Sequence, residues 1–429
     1  MKTTTATQGD KKGGIKMQKK YSLALLAAGL ALGANSAHAG PHGYDLHNTL
    51  APASAGLAGT SIATPQDNVS ALFGNPATLA KFPGTEFTLG VSFYQPEARL
   101  RHDGSVTGEA FSARSDQGIY PIPQIAVTHD FEDRGLPVTA GLGLTATSGI
   151  GADFKGEPAS GGTSAQFLVL GVNAGLGYRV TENFNLGAAA TVSYAQLDLG
   201  LQNTVPPGED FAFGSAGNTN DIGFRATLGA TYDFGDTTVG GFYQTKQRHR
   251  FSNLVVDGTG EFQKVTIEQP ANVGVGISNN SLMDGDLLLM ADVLYKDWSS
   301  TRFWGDVYDD QWAFSVGAQL TRNNIKYRLG YGYAEDPTRS TVSGLGNLAI
   351  PVNGIEYLQA AQAQVIYKHR LTAGLGVEDF LTPGLNLDLS AGWQFKEDRD
   401  YGTGTLSGGG HTNAEVYSWH VGFGLTWQF

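Results

Sequence analysis

Cysteine is absent from the 429 residues, which excludes a disulfide framework, a thiol nucleophile and any thiolate metal site. Beyond the first forty positions no apolar run reaches the ~18 residues of a transmembrane helix. If the chain resides in a membrane it must therefore close a β-barrel, because only helices and closed sheets satisfy every backbone polar group in lipid. Basic residues are also few: 28 Lys and Arg stand against 40 Asp and Glu. Several of those lysines precede residue 40, so the rest of the chain is more acidic than the overall −12, a poor profile for binding nucleic acid. The nine histidines form no His-Glu-x-x-His pair. No Gly-x-Ser-x-Gly occurs either, since the nearest stretch, Gly59-Thr60-Ser61-Ile62-Ala63, lacks the closing glycine. No catalytic residue, metal or cofactor is expected, and a membrane lipase or esterase stays an alternative without a motif behind it.

What is present begins with Met17-Gln18-Lys19-Lys20, the apolar stretch Leu23 to Leu32, and Ser36-Ala37-His38-Ala39. Charged, apolar and small-residue regions in that order are a secretory signal peptide cleaved after Ala39, with Met1 or Met17 as the start. Residues 1–39 are therefore set aside as presequence. In the remainder, glycine (59 residues) and aromatics (10 %) disfavour helices and suit strands joined by turns.

Strict period-2 alternation is the main signal. From Tyr417 the odd positions read Tyr417, Trp419, Val421, Phe423, Leu425, Trp427 and Phe429, while the even ones read Ser418, His420, Gly422, Gly424, Thr426 and Gln428. The same pattern runs through 385–396 and 222–234. Fourteen such segments can be counted: 85–102, 122–131, 137–154, 166–180, 184–199, 222–234, 237–251, 264–278, 287–299, 312–321, 326–336, 367–379, 385–396 and 416–429. Short turns at 132–136, 181–183, 235–236, 279–286, 322–325 and 380–384 alternate with long links at 200–221, 252–263, 337–366 and 397–415, the rhythm of an up-and-down membrane barrel with its long loops outside. Residues 40–84 lack alternation and are too apolar for a tail, so they are expected to form a plug inside a barrel spanning 85–429. The fold class expected is all-β, a 14-stranded antiparallel transmembrane barrel with an N-terminal hatch.

Gly43-Tyr44-Asp45-Leu46, Gly56-Leu57-Ala58-Gly59, Asp67-Asn68-Val69-Ser70 and Asn75-Pro76-Ala77 occur in order before the first strand. They are followed by Gln269-Pro270-Ala271-Asn272-Val273-Gly274-Val275-Gly276, by Ala291-Asp292-Val293-Leu294-Tyr295-Lys296-Asp297-Trp298-Ser299, and by Tyr327-Arg328-Leu329-Gly330-Tyr331-Gly332-Tyr333 with Asp336-Pro337. In these stretches the chain resembles the FadL family of outer-membrane transporters of long-chain fatty acids and aromatic hydrocarbons: the hatch with its Asn-Pro-Ala motif, then the eighth, ninth and eleventh strands. The resemblance implies passive transport in which a hydrophobic molecule enters among the outer loops, reaches a pocket in the lumen and leaves sideways through a gap at a kinked third strand. It also implies that Asn75, Pro76 and Ala77 lie next to that kink, and that Gly40 to Asp45, including Tyr44, occupy the pocket and must shift.

In the third segment Gly149-Ile150-Gly151 could supply the kink, since glycines tolerate a bulge that β-branched residues resist, a reading favoured because the resemblance points the hatch motif to the same strand; the alternative is that they merely relieve crowding, as other lumen-facing glycines do. Pro76, with no N–H and a fixed φ, could hold Asn75 so that its amide pairs with strand backbone, or the pair could be an ordinary Asn-Pro turn. Alternation places Arg225, Lys246, Arg248 and Arg328 in the lumen, where pairing with carboxylates such as Asp233 and Asp292 competes with a role in binding an anionic cargo. Phe211, Phe213, Leu254, Val255 and Val256 are candidates for an apolar outer groove. The upper fifth strand, Tyr194-Ala195-Gln196-Leu197-Asp198, holds no cation, which favours a neutral cargo. The partners expected are a hydrophobic small molecule, outer-membrane lipid and the barrel assembly machinery, with the chain acting as a monomer. A general porin, or a surface receptor or adhesin, is the remaining alternative.

Overall fold

The computed structural model describes residues 45–200, 219–256, 262–346, 352–402 and 411–429, with backbone alone at 254–256. The expected signal peptide, Tyr44, Phe211, Phe213 and the side chains of Leu254, Val255 and Val256 lie outside the described residues. Fourteen antiparallel strands among these residues form the barrel wall. They are β1 (Thr85–His102), β2 (Tyr120–Asp130), β3 (Val138–Asp153), β4 (Ser164–Arg179), β5 (Phe184–Gly200), β6 (Thr219–Phe234), β7 (Thr237–Gln244), β8 (Ala271–Leu282), β9 (Leu287–Asp297), β10 (Gln311–Arg322), β11 (Ile325–Ala334), β12 (His369–Val377), β13 (Leu385–Tyr401) and β14 (Thr412–Gln428). Each pairs with its sequence neighbours, and β14 returns to pair with β1 from Glu86↔Gln428 to His102↔Thr412. Closure leaves no free sheet edge around most of the wall.

Local sequence explains which face points where. On β14 the inward positions Ser418, His420 and Thr426 are buried, while Val421 and Phe423 face out and are exposed. Leu142, Leu176, Phe224, Leu228, Val275 and Leu329 belong to the same exposed apolar exterior. In water such a surface would cost about 25 cal/mol per Å²; against lipid it is the favourable arrangement.

Strands seven and eight end earlier than the alternation suggested. The expected segments 237–251 and 264–278 break at Thr245 and Pro270, and the arms Gln247–Val256 and Phe262–Gln269 pair only with each other. Pro270 cannot donate to a ladder. Arg225 stabilises the break: its Nε donates to the Thr245 carbonyl at 2.9 Å and its Nη2 to the Pro270 carbonyl at 2.7 Å. Most of the expected loop 252–263 is thus strand, and the hairpin packs Phe251, Val265 and Ile267 into an apolar layer at the outer end of the lumen.

The link 337–366 is not a loop throughout, since it holds helix α2 (Val352–Gln362), whose Ile355, Tyr357, Ala360 and Ala361 complete that layer beside Phe167, Trp298 and Tyr308. Its apolar positions were legible in the sequence but carried no period-2 signal.

Candidate functional site

Residues 45–82 pack against the inward-facing side chains of the wall. The segment is built from a 3₁₀ turn at Ser54–Leu57, helix α1 (Asn68–Phe73) and a second 3₁₀ turn at Pro76–Lys81. Asp67 caps α1 by accepting from the Ser70 N–H at 2.7 Å, and its other oxygen accepts from the Ala53 and Ser54 N–H groups at 3.0 Å each. One carboxylate thereby joins two turns that are distant in sequence. Burial pushes its pKa up, and the bonds from Ser70 and Ser54 oppose that rise.

The wall supplies the other partners. Asp292 on β9 accepts from the Ser61 and Ile62 N–H groups at 2.7 and 3.1 Å. Asn173 on β4 donates to the Leu72 carbonyl at 2.7 Å, and Gln124 on β2 donates to the Leu50 carbonyl at 2.7 Å. Lys81 pairs with Asp233 at 2.7 Å.

Asn75, Pro76 and Ala77 sit elsewhere than the resemblance implied. The Asn75 amide donates to the Ile62 carbonyl at 2.8 Å and to the Ala230 carbonyl of β6 at 3.2 Å, while its own oxygen accepts from the Ala77 N–H at 3.2 Å. The turn is seated on β5 and β6, where Gly187 and Gly229 allow backbone-close approach; a Cβ on Gly187 would stand 2.2 Å from the Ala77 nitrogen. It does not lie next to an irregularity in β3.

That irregularity exists, slightly upstream of Gly149-Ile150-Gly151. Those three residues keep regular register with Leu168, Phe167 and Gln166 of β4, whereas the register shifts between Ala146 and Ser148, leaving Thr147 as the extra residue. The bulge is thus at a threonine flanked by small residues, which corrects the expected position. From this point β3 loses β2. Their pairing runs only from Asp130↔Thr139 to Gln124↔Thr145, so among the wall strands Tyr120 to Pro123 pair with β1 alone and Ala146 to Asp153 with β4 alone. At the outer end contact resumes through the Asp116 N–H to the Asp153 carbonyl at 2.7 Å. The result is a window in the hydrogen bonding of the wall.

Pro121 and Pro123 stand on its β2 side. Proline is confined to strand edges because it has no N–H for a second neighbour, so this pair was a readable sign of the edge that sequence reasoning passed over. Behind the window lies an apolar cluster of Leu46, Leu50, Tyr94, Ile122, Ala146 and Leu168. The N-terminal segment reaches the bulge directly: the Leu46 N–H donates to the Thr147 carbonyl at 3.0 Å, and Asp45 forms an antiparallel bridge with Ser148.

Asp45 is buried among charges. Its Oδ2 lies 3.1 Å from Lys296 Nζ of β9 and 3.9 Å from Arg225 Nη1 of β6, and accepts from Asn272 Nδ2 of β8 at 2.5 Å. Burial alone would raise the carboxyl's pKa, but Lys296 and Arg225 outweigh it and hold the group well below its usual range. Neighbouring His47 is lowered to about 4 by burial, opposed by Asp45. Lys296 was missed as a lumen cation, although it shares its parity on β9 with Asp292.

The other lumen cations pair differently than expected. Arg328 bonds Asp388 through Nη1 and donates to Gln319 Oε1 at 2.7 Å. Lys246 and Arg248 leave the lumen for the outer hairpin region, Arg248 pairing with Glu268 at 2.6 Å. Asp233 and Asp292 serve the N-terminal segment instead. Arg328→Met would leave Asp388 buried without its cation, a loss of about 3–5 kcal/mol; the check is a lowered denaturation midpoint of the detergent-folded barrel.

The sequence profile of a family described as outer membrane protein transport protein (OMPP1/FadL/TodX) matches residues 30–353. The chain belongs to this family. Among solved structures, the Pseudomonas putida toluene transporter TodX is similar at 19% identity and a TM-score of 0.64, over 91% of this chain and 99% of that one. A Pseudomonas aeruginosa FadL homologue is similar at 16% identity and a TM-score of 0.66, over 90% and 100%. The Ralstonia pickettii toluene transporter TbuX is similar at 19% identity and a TM-score of 0.60, over 88% and 98%. Among curated proteins none matches significantly. These likenesses agree with the closed 14-stranded barrel, and family membership makes the protein an outer-membrane transport protein.

Proposed function

We propose that the protein carries small hydrophobic molecules, in the class of aromatic hydrocarbons or long-chain fatty acids, from outside the cell into the outer membrane, and that they leave through the window between β2 and β3. The observation that carries this reading is the loss of β2–β3 pairing beyond Gln124↔Thr145, with apolar Leu46, Ile122, Ala146 and Leu168 behind the opening. An apolar solute that continued into the periplasm would expose its surface to water at about 25 cal/mol per Å², whereas sideways exit keeps it in apolar surroundings. The similarity to solved toluene transporters supports the class of cargo. Residues 40–84 act in this reading as the hatch, with Asn75-Pro76-Ala77 as its anchor on β5 and β6 and the part around Asp45 as the gate at the bulge. Arg225 and Arg328 hold structure at their present positions, through the hairpin break and the Asp388 pair.

Deleting Thr147 tests the exit. Removing the extra residue restores continuous register with β4 and brings the upper part of β3 back toward β2. Cells lacking the gene and complemented with this variant should lose uptake of a labelled alkylbenzene and of labelled oleate while showing normal surface expression. Uptake at the wild-type rate would end the lateral-exit reading. No ester hydrolysis is expected of the purified protein, which a chromogenic ester assay checks against the lipase alternative.

A further inference from the structure

The inward-facing cations Arg225, Lys296, Arg328 and Lys81 each have a carboxylate, in Asp45, Asp388 or Asp233. Arg370 on β12, only 2 % exposed, has none: no Asp or Glu among the described residues forms an ion pair with it. Its Nη2 donates to the Ala58 carbonyl at the end of the first 3₁₀ turn, while Nε and Nη1 are buried without a hydrogen-bond partner. A guanidinium stays protonated in proteins. A full positive charge is therefore buried with one neutral acceptor, which is strongly unfavourable unless an anion accompanies it.

Neither cross-strand neighbour supplies the missing charge. Arg370 lies opposite Gln394 of β13 and, on its other side, opposite Gly332 of β11. Gln394 is neutral, and its Oε1 accepts from the Tyr94 hydroxyl at 3.0 Å and from the Ser418 hydroxyl. Turning that amide over would give Arg370 an acceptor but no counter-charge. On the Gly332 side there is room instead. An atom in the position of a Cβ on Gly332 would meet nothing nearer than Arg370 Nε and Nη2, at 3.6 Å each, and the Ala58 Cβ at 3.8 Å. Nε and Nη2 form one edge of the guanidinium fork, the kind of edge that takes an anion through two parallel N–H groups. A gap of one heavy atom, backed by Ala58, suits a monatomic ion and not a carboxylate on a hydrocarbon body.

We propose that the fork of Arg370 over Gly332 is a binding site for a single halide-sized anion, chloride under physiological conditions. The ion accepts from Nε and from the second hydrogen of Nη2, the first serving the Ala58 carbonyl. It neutralises the guanidinium, so that β12 and the N-terminal segment are joined here by a charge-compensated contact. No cargo takes part and no segment has to move. The site is thus independent of the transport reading, and either can fail without the other.

The test is thermal unfolding of the full mature chain folded in neutral detergent, with sodium chloride exchanged for sodium gluconate at constant ionic strength. Gluconate is too large for the gap. Tm should rise saturably with chloride, by about 2 °C or more at saturation, because the ion binds the folded state alone, and bromide should act like chloride. Gly332→Ala should abolish this response while leaving Tm in gluconate near that of wild type, since the added methyl fills the gap at ordinary contact distances and Arg370 is untouched. Arg370→Gln should abolish it as well, and the Gly332→Ala result decides the matter even where Arg370→Gln fails to fold. In crystals grown with bromide, an anomalous peak is expected in the Arg370 fork. The same Tm in chloride and gluconate for wild type would overturn the proposal. So would a chloride response that persists in Gly332→Ala, because it would come from a general salt effect or another site.

Discussion

Oxidation of an Asp45→Cys/Ser148→Cys double variant should stop uptake, and reduction should restore it. The two positions face each other as an antiparallel bridge, a separation of about 4.5–5.5 Å between Cα atoms that a disulfide spans without distortion. The chain has no other cysteine, so the new bond has no competitor. Once formed, it ties the N-terminal segment to β3 at the bulge and removes the open population altogether, and uptake should fall at least ~10-fold. In the reduced form the carboxylate is gone and the segment is held by fewer contacts, so uptake at or above wild type is expected. Labelled alkylbenzene uptake with and without dithiothreitol measures both states. An oxidised protein that transports normally would show that the segment need not leave the bulge.

The second large effect concerns the seal. Gly187→Val on β5 and Gly229→Val on β6 should each unseat the Asn-Pro-Ala turn and raise ion conductance in planar bilayers. The atoms in the way are not adjustable side-chain ends at Gly187: the new Cβ would stand 2.2 Å from the Pro76 carbon and the Ala77 nitrogen, both backbone. At Gly229 it would meet the Asn75 side-chain oxygen, breaking the contact that places the amide on Ala230. Overpacking of this kind costs about 1–3 kcal/mol even where neighbours can yield, and here the turn has to move as a unit. Leu186→Val, beside Gly187 but exposed on the outer face, should leave conductance unchanged. Variants of both glycines that stay as closed as wild type would mean that the turn is not part of the seal.

How much of this could be read beforehand differs from element to element. The strands β5, β6, β13 and β14 were visible because each carries its own two-residue period, and that period is set by a local fact: alternate side chains face lipid and lumen. The helix α2 was invisible to that test. Pro270 lies inside an alternating segment, and its missing N–H, a sign independent of the alternation, ends the strand there. At the window, Pro121 and Pro123 carried a sign in their chemistry that the alternation hid, whereas Thr147 carried none. A register shift is a property of two strands, and only the pairing of β3 with β4 reveals it.

The buried charges divide in the same way. Parity along β6, β9 and β11 assigns Arg225, Lys296 and Arg328 to the inside from sequence alone, but partners cannot be chosen that way. Asp45 meets Lys296, and Asp292 meets Ser61 and Ile62, across separations that only closure of the barrel around the N-terminal segment brings together. The sequence by itself therefore determined the strand count, the membrane-facing surface and the family, since periodicity and ordered motifs are local. The window, the seat of Asn75 and the Asp45 cradle were decided by tertiary structure, because each depends on which distant strands share a wall and which carbonyls the N-terminal segment finds inside it.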